Sequence, residues 1–320
     1  MNKCQSFVIV SSSAAQALKP GLQKLVSILT LLISFSAIAQ KPAYQLYDSA
    51  GNAVNYDQML SQLDSVDVIL FGEIHNDALV HWLELQVAKD LYERDSNLVL
   101  GAEMLEADNQ LLLDEYLSGT IEERHFEQEA KLWDNYATDY APLLRFAQRG
   151  QIPLVATNIP RRYASLVARE GLAMLDSLPN AAKELIAPLP IEVDLSLPGY
   201  RSMLDMMGGR PHGGGSGHGG SSHGGMSAEN IVQAQAIKDA TMAHFILLNL
   251  PKKTTFLHFN GSYHSNNFEG TYWYIQRASP DLQIKTISSV SQADISQLEE
   301  DNYGLADFIF VVPDDMTKTY

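Results

Sequence analysis

Four side chains that could perform acid–base chemistry or bind a metal follow short apolar runs of the strand type. They are Glu73, His75, Glu103 and His264. In open α/β sheets ligands gather beyond the carboxyl ends of the strands, so residues placed there could form a site. Two imidazoles and two carboxylates could bind a divalent cation, or transfer protons to and from a substrate. We therefore predict a catalytic or binding pocket at the edge of the sheet where the strands end, with His75 and His264 as metal ligands.

The two histidines of this pocket share a local pattern. Gly72-Glu73-Ile74-His75 and Gly261-Ser262-Tyr263-His264 both place a glycine three residues before the histidine, directly after a predicted strand. One such G-x-x-H is a weak indication, because short motifs occur by chance. Two at strand ends are a stronger one, because a parallel sheet brings these ends to one edge. His81 does not share a helix face with His75, so we expect it behind the site or at the surface.

An amide and two basic side chains follow a third predicted strand. Asn158, Arg161 and Arg162 come soon after the apolar run Ile152–Ala156. A guanidinium at the same edge could stabilise negative charge on a bound or reacting group. Arg161 and Arg162 are therefore included in the candidate pocket.

The elements that must position these residues are predicted from hydrophobic periodicity. Short apolar runs predict six buried strands, and amphipathic stretches between the first four strands predict helices. The strands are Val68–Phe71, Leu98–Ala102, Ile152–Ala156, Thr254–Phe259, Ile284–Ser288 and Phe308–Val312. This alternation predicts an α/β fold with a mostly parallel sheet, right-handed crossovers and helices on both faces. Ser291–Glu300, between the last two strands, is predicted to be helical.

Residues 165–250 have a different composition from the rest of the chain. Prolines interrupt the helical patterns, and residues 208–225 consist mainly of glycine, serine and histidine. We interpret 165–250 as a helical insertion or lid that carries a flexible loop at 208–225. His212, His218 and His223 in that loop could capture a metal ion or haem iron, although a solvated linker explains the same composition.

Length, charge and cysteine content limit the function further. The chain has 320 residues, is 46% hydrophobic and carries a formal net charge of −16. A chain this acidic has no broad attraction for phosphate backbones, so we expect no nucleic-acid partner. The single cysteine, Cys4, lies in a region that we expect to be removed. The mature chain would then have no disulfide, cysteine nucleophile or zinc–cysteine site.

The first 39 residues have the pattern of a secretory signal peptide. Lys19 and Lys24 precede the apolar segment Leu25–Ala37, and Ala37-Ile38-Ala39 is an A-x-A cleavage pattern. The apolar segment is shorter than the roughly 20 residues that a membrane span needs, which favours cleavage. We expect a signal peptide at 1–39, one α/β domain at 40–320, and a periplasmic or otherwise exported location.

Several segments together resemble the ChaN-type haem-binding uptake family, which belongs to a superfamily with the Tiki and TraB proteins and the erythromycin esterases. The short segments are GEIH, the later G-x-x-H, GAEM around Glu103 and NIPRR from Asn158 to Arg162. Two longer ones are WDNYATDYAPLLRFAQRGQIPLVATNIPRR and QAQAIKDATMAHFI. The resemblance covers about residues 60–290.

The resemblance implies an exported bacterial α/β protein that is associated with haem and iron acquisition. Family members are described as binding haem through a tyrosine-lined surface, but no motif assigns the ligand to one position. Five tyrosines are therefore candidates: Tyr136, Tyr140, Tyr163, Tyr200 and Tyr263. The four pocket residues match a pattern shared across the superfamily. In its Tiki and esterase branches such residues are linked to hydrolysis, with a metal in the Tiki case.

Three functions remain open from the sequence. The first is an exported haem-binding protein that supports haem and iron uptake. The second is a metal-dependent hydrolase, an esterase or peptidase, that uses the paired G-x-x-H motifs. The third is a metal-scavenging module that uses the histidine-rich loop. The expected cofactors are haem and a divalent metal. The expected partners are haem, outer-membrane or periplasmic uptake components, and a second copy of the chain in a homodimer.

Overall fold

A single seven-stranded sheet organises the structure. The computed structural model describes residues 41–207 and 227–320, and its helices and strands lie in one compact unit, Tyr44–Tyr320. The strands are β1 (Gln45–Asp48), β2 (Val68–Glu73), β3 (Leu98–Glu106), β4 (Leu154–Asn158), β5 (Thr255–Gly261), β6 (Ile284–Gln292) and β7 (Phe308–Pro313). Their order is β1-β7-β6-β2-β5-β3-β4. Only β1 runs antiparallel to its neighbour in this described sheet.

Helices connect the strands and cover the sheet. They are α1 (Tyr56–Leu63), α2 (Ala78–Arg94), α3 (Gln110–Leu117), α4 (Glu123–Glu129), α5 (Ala141–Gly150), α6 (Arg161–Glu170), α7 (Asn180–Lys183), α8 (Pro198–Met207), α9 (Ala228–Leu248) and α10 (Thr271–Ala278). None of the helices within 41–207 and 227–320 combines the length and the apolar character that a membrane crossing requires.

The burial of β2 shows why this strand is a continuous apolar run. Ile69 and Phe71 belong to the core cluster that includes α1 to α5, whereas Val68 and Leu70 belong to the cluster with α9 and α10. Successive side chains of a strand point to opposite faces, so both faces of the sheet must be covered to bury all four. The predicted α/β class, with a mostly parallel sheet and helices on both faces, is confirmed.

The position predicted for Glu103 needs correction. β3 extends to Glu106, so Glu103 lies within a strand instead of after its end. The pairing of β3 with β5 nevertheless stops at Ala102, and its register with β4 shifts between Ala102 and Glu106. Buried apolar side chains at Met104 and Leu105 explain why the extended backbone continues past the first apolar run.

The helix predicted for Ser291–Glu300 is wrong. This segment contains the end of β6, irregular backbone and the start of a 3-10 turn at Glu300–Asn302. The Asp294 side chain accepts the backbone N–H of Ser296 at 2.8 Å, and the Gln292 amide donates to the carbonyls of residues 294 and 297. These side-chain bonds satisfy backbone groups locally and so compete with helix formation.

Between β4 and β5 the described chain contains helices that pack along α9, and an irregular segment at residues 184–197. α6 and the 3-10 segment Leu172–Ser177 share a core cluster with α9 that includes Val167, Leu175 and Ile237. α8 contributes Tyr200 to a smaller cluster on α9. The predicted loop at 208–225 and the predicted signal peptide lie outside the described residues.

Close packing at Gly101 provides a test of the sheet. A Cβ atom at this β3 position would overlap the Phe256 ring of β5 and lie 3.0 Å from the His258 ring. Gly101→Ala should lower the free energy of unfolding by about 1–3 kcal/mol, which is the usual cost of overpacking. Chemical denaturation measures this loss. Combining Gly101→Ala with Phe256→Leu should cost less than the sum of the two single changes, and strict additivity would contradict this packing.

Candidate functional site

The predicted pocket residues meet because β5 lies between β2 and β3 in the sheet. Glu73 ends β2 and pairs in register with Gly261, the last residue of β5. Glu103 lies on β3, and His264 ends the 3-10 turn that follows β5. Strands that are far apart in sequence therefore deliver two carboxylates and two imidazoles to one edge.

Glu73 and His75 form the first carboxylate–imidazole pair. His75 Nδ1 donates to Glu73 Oε1 at 2.6 Å, and the Tyr140 hydroxyl donates to the same oxygen at 2.6 Å. Asn135 Nδ2 donates to the carbonyl of His75 at 2.7 Å, and Trp133 meets the imidazole edge-on. The His75 side chain is 40% exposed while that of Glu73 is 3% exposed. Glu73 thus holds Nδ1 from within, and Nε2 takes no part in this hydrogen bond.

His81 lies directly behind this pair, on α2. Its Nδ1 is 2.8 Å from Glu84 Oε2 and 3.8 Å from Glu73 Oε2. Its Nε2 is 3.1 Å from the carbonyl oxygen of His75 and 3.7 Å from Asp139 Oδ2. His81, Glu84 and Asp139 are all buried. His81 therefore lies behind the site, which is one of its two expected positions.

Glu103 and His264 form the second pair, which continues inward to α9. His264 Nε2 is 3.0 Å from Glu103 Oε1, and its Nδ1 is 2.6 Å from Asp239 Oδ1. The second oxygen of each carboxylate also accepts a hydrogen bond. Gly261 N–H donates to Glu103 Oε2 at 2.7 Å, and the Tyr200 hydroxyl donates to Asp239 Oδ2 at 2.8 Å. Each of these side chains is buried. The imidazole is held between two carboxylates.

The two pairs come together at Gly261. A Cβ atom on this residue would lie 2.8 Å from His75 Nε2 and 3.5 Å from Glu103 Oε2. A larger residue would push the His75 ring out of place. The glycine of the second G-x-x-H motif therefore makes room for the histidine of the first.

An open cleft of about 420 Å³ lies in front of the pairs. Its lining includes His75, Glu103, Trp133, Arg161 and Lys238. The last two residues bring positive charge, and the proximity of Lys238 helps to lower the pKa of Glu103. Because Glu103 and Asp134 also line the cleft, it carries charges of both signs, and Arg161 and Lys238 are the groups in it that suit an anionic ligand.

The ionisation of His264 decides what this residue can do. Burial alone lowers the pKa of its imidazole, but the carboxylates of Glu103 and Asp239 outweigh burial and raise it to about 10. Burial likewise raises the pKa of Glu103, and the charge and hydrogen bond of His264 reverse this and lower it. With both ring nitrogens facing carboxylates, the arrangement favours an imidazolium over a metal ligand.

The pKa values of Glu73 and His75, and of the residues behind them, are also shifted from their usual values. Burial raises the pKa of Glu73, but its bond with His75 and the charge of His81 lower it overall. Burial lowers the pKa of His75, but Glu73 raises it above the usual 6.5. Behind them, Glu84 and then Glu73 raise the pKa of His81 to about 10 against burial. Burial, followed by the Glu73 charge, raises the pKa of Glu84 well above its usual value.

The five tyrosines and the second arginine occupy very different environments. Tyr136, Tyr140 and Tyr200 are buried, Tyr163 is half-buried, and Tyr263 is 82% exposed. Arg162 is exposed, pairs with Asp108 and stacks over the Tyr163 ring, so it does not line the cleft as Arg161 does. His212, His218 and His223 lie outside the described residues.

Sequence reasoning misses two inner partners of the site, Asp239 and Glu84. Each is an acidic residue on a helical face that is otherwise mostly apolar. Glu84 follows His81 by three residues, a spacing that places side chains together on a helix. A charged residue in a buried helical stretch is the signal that the sequence offers for both.

We predict that His264 remains protonated at pH 8. Because its folded pKa of about 10 exceeds the unfolded value of about 6.5, its contacts stabilise the fold fully below pH 6.5. Their contribution is lost as the pH rises from there toward 10, by about 1.4 kcal/mol for each pH unit. Nitrogen NMR of the rings should show an imidazolium for His264 at pH 8. His244, whose pKa is lowered by burial, should be neutral. A neutral His264 at pH 8 would contradict the prediction.

Comparison with solved structures places this fold among known ones. The structure described as cofacial heme binding to ChaN of Campylobacter jejuni matches with a TM-score of 0.62 at 16% identity, covering 84% of this chain and 96% of that chain. A Bacillus cereus protein matches with a TM-score of 0.46 at 8% identity, covering 85% of this chain and 95% of that chain. The first match shows a shared fold, and the second carries no argument. A comparison with curated proteins gives no match.

The family comparison covers most of the chain. Residues 59–275 match the family described as haem-binding uptake, Tiki superfamily, ChaN. The matched range includes both G-x-x-H motifs, Glu103 and the tyrosine candidates. This chain belongs to the ChaN haem-binding uptake family of the Tiki superfamily, as the resemblance predicted.

Proposed function

We propose that this protein binds haem through Tyr263 and supports haem and iron uptake after export. The observation that carries the proposal is the exposed phenol of Tyr263 in a chain of the haem-binding uptake family. A tyrosine phenolate is an established axial ligand of haem iron. Tyr263 lies in the second G-x-x-H motif, between Ser262 and His264, on the 3-10 turn that follows β5.

The other candidate tyrosines are poor ligands in this structure. Tyr140 and Tyr200 are buried, and each donates its hydroxyl proton to a buried carboxylate. Tyr136 is also buried, and burial raises its pKa, so a phenolate there is unfavourable. Tyr163 is half-buried with the Arg162 guanidinium 4.5 Å from its ring centre. Tyr263 is exposed, and it directly precedes the pocket residue His264 in the chain.

The charge of the neighbouring cleft is consistent with haem, whose propionates are anionic. Arg161 and Lys238 line the cleft together with Glu103, the direct partner of His264. A planar haem held by one exposed tyrosine leaves its second face open. A second copy of the chain is the partner that we propose to cover that face.

The exported location rests on the predicted signal peptide at 1–39. In that setting the protein would receive haem from, or pass it to, outer-membrane or periplasmic components of haem uptake. The surface-exposed ligand supports such a transfer role, because haem bound at a surface can be handed over without opening the fold.

Replacing Tyr263 tests the ligand. Tyr263→Phe removes only the hydroxyl oxygen, so haem affinity should fall at least tenfold and the Soret band of the ferric complex should shift. Titration of the purified protein with haemin, followed by absorption, measures both effects. Tyr303→Phe removes a second exposed hydroxyl and should change neither.

The titration has two informative failures. Unchanged binding by Tyr263→Phe would reject this residue as the ligand while retaining haem binding. Absence of saturable haemin binding in the unaltered protein would reject the proposed function itself. Sedimentation velocity with and without haemin would show whether haem binding converts the protein into a dimer.

The geometry of His75 favours hydrolysis as a second candidate function. A buried carboxylate holds Nδ1, and the partly exposed imidazole lines a cleft that also contains Arg161 and Lys238. This arrangement suits a general base that activates water for attack on an anionic ester or peptide. Because the pKa of His75 lies above the usual value, its basic form becomes abundant only at a higher pH than that of a free imidazole.

His75→Ala separates the two functions. If the protein hydrolyses a panel of carboxylic esters or peptides, this change should reduce the rate at least 100-fold, a typical contribution of a general base. Haemin affinity should be retained, because Tyr263 is unchanged. Tyr263→Phe is the matched control and should leave hydrolysis intact. Equal loss of both activities in either variant would contradict separate sites.

A further inference from the structure

Three buried metal-ligating side chains converge behind the cleft. Donor atoms of Glu73, His81 and Glu84 all lie within 4.8 Å of one another, and each residue is at most 4% exposed. Nδ1 of the imidazole is 2.8 Å from one carboxylate and 3.8 Å from the other. Bonds of about 2.0–2.2 Å to a divalent cation allow donor atoms to lie up to about 4.2 Å apart. The two separations from the imidazole, 2.8 and 3.8 Å, lie within this limit.

The orientation of the His81 ring indicates which nitrogen would bind. Its Nε2 is 3.1 Å from the carbonyl oxygen of His75, a contact that requires the proton on Nε2. Nδ1, which faces the carboxyl groups of Glu73 and Glu84, is then the nitrogen that would bind a metal ion after losing its own proton. Metal-ligating histidines commonly donate their other N–H to a backbone carbonyl or a carboxylate, which fixes the tautomer. A positive species between Nδ1 and the carboxylates is needed to prevent repulsion.

Glu84 supplies a second, independent observation. Its Oε2 contacts His81, but its Oε1 is buried and has no hydrogen-bond donor among the described residues. The Glu73 carboxylate interacts with it at close range. A buried carboxylate oxygen without a partner is costly, and a proton or a metal ion would satisfy it.

We propose that Glu73, His81 and Glu84 bind one divalent cation of the Zn²⁺ or Mn²⁺ class behind the cleft. Two carboxylates and one imidazole are ligands that such cations accept, and their two negative charges balance the ion. In the metal-free chain protons held by this cluster take the place of the ion, and metal binding releases them. This site lies apart from Tyr263 and goes beyond the proposed function. It would fix the GEIH turn from within, because Glu73 connects the ion to His75.

Metal content provides the test. The full chain should carry His212→Ala, His218→Ala and His223→Ala, so that the histidine-rich segment contributes no binding. After incubation with Zn²⁺ or Mn²⁺ and removal of free ions, elemental analysis should find one ion per chain. Thermal unfolding should show a higher Tm with the ion than with a chelator. Glu84→Gln and His81→Gln in the same background should each weaken binding at least tenfold and abolish the Tm shift.

Two controls make the outcome decisive. Glu84→Gln keeps the shape of the side chain without its charge, and its circular dichroism should match the parent. Glu269→Gln removes another buried carboxylate, one that accepts Gly199 N–H, and should bind the ion normally. No bound ion in the parent, or equal binding by Glu84→Gln, would overturn the proposal. Tyr263→Phe should keep the ion, so failure of haem binding and failure of this site are distinguishable.

Discussion

The buried carboxylates at the end of β2, within β3 and on α9 depend on imidazoles for their charge balance. Glu73, Glu103 and Asp239 are almost inaccessible to water. The removal of an ionised carboxylate from water costs several kcal/mol unless a charge and hydrogen bonds compensate it. His75 and His264 provide that compensation through contacts of 2.6–3.0 Å. The contacts that shape the site therefore also hold the strand ends and α9 together.

The two G-x-x-H motifs look alike in the sequence but their histidines are not equivalent. His264 is enclosed, with a carboxylate at each ring nitrogen, so its role is to organise the charges around it. His75 has a carboxylate at Nδ1 only, and Nε2 remains beside the cleft because Gly261 has no side chain. The accessible nitrogen of His75 is the one suited to act on a ligand. This asymmetry arises from Asp239, which α9 brings to one histidine and not to the other.

Three environments of different polarity lie within a few residues of each other. Tyr263 is at the surface, the cleft in front of His75 is half open, and the group around His81 is sealed from water. Burial favours neutral or compensated groups, exposure favours ligand exchange, and the cleft allows a buried pair to meet a dissolved molecule. Surface binding and pocket chemistry can therefore coexist in this fold without competing for the same side chains.

The sequence by itself determined six of the seven strands, their mostly parallel arrangement, the edge at which the site forms and four of the residues that meet there. Apolar runs that end in glycine and charged residues carry that information locally, and parallel pairing brings such ends to one side. The sequence did not determine the extension of β3, nor the absence of a helix after β6, where side-chain hydrogen bonds replace helical ones. Nor did it identify Asp239 or Glu84, because their partners come from other elements. Only the tertiary structure decided which histidine is enclosed and which tyrosine is exposed, since burial and charge pairing are properties of the assembled layers.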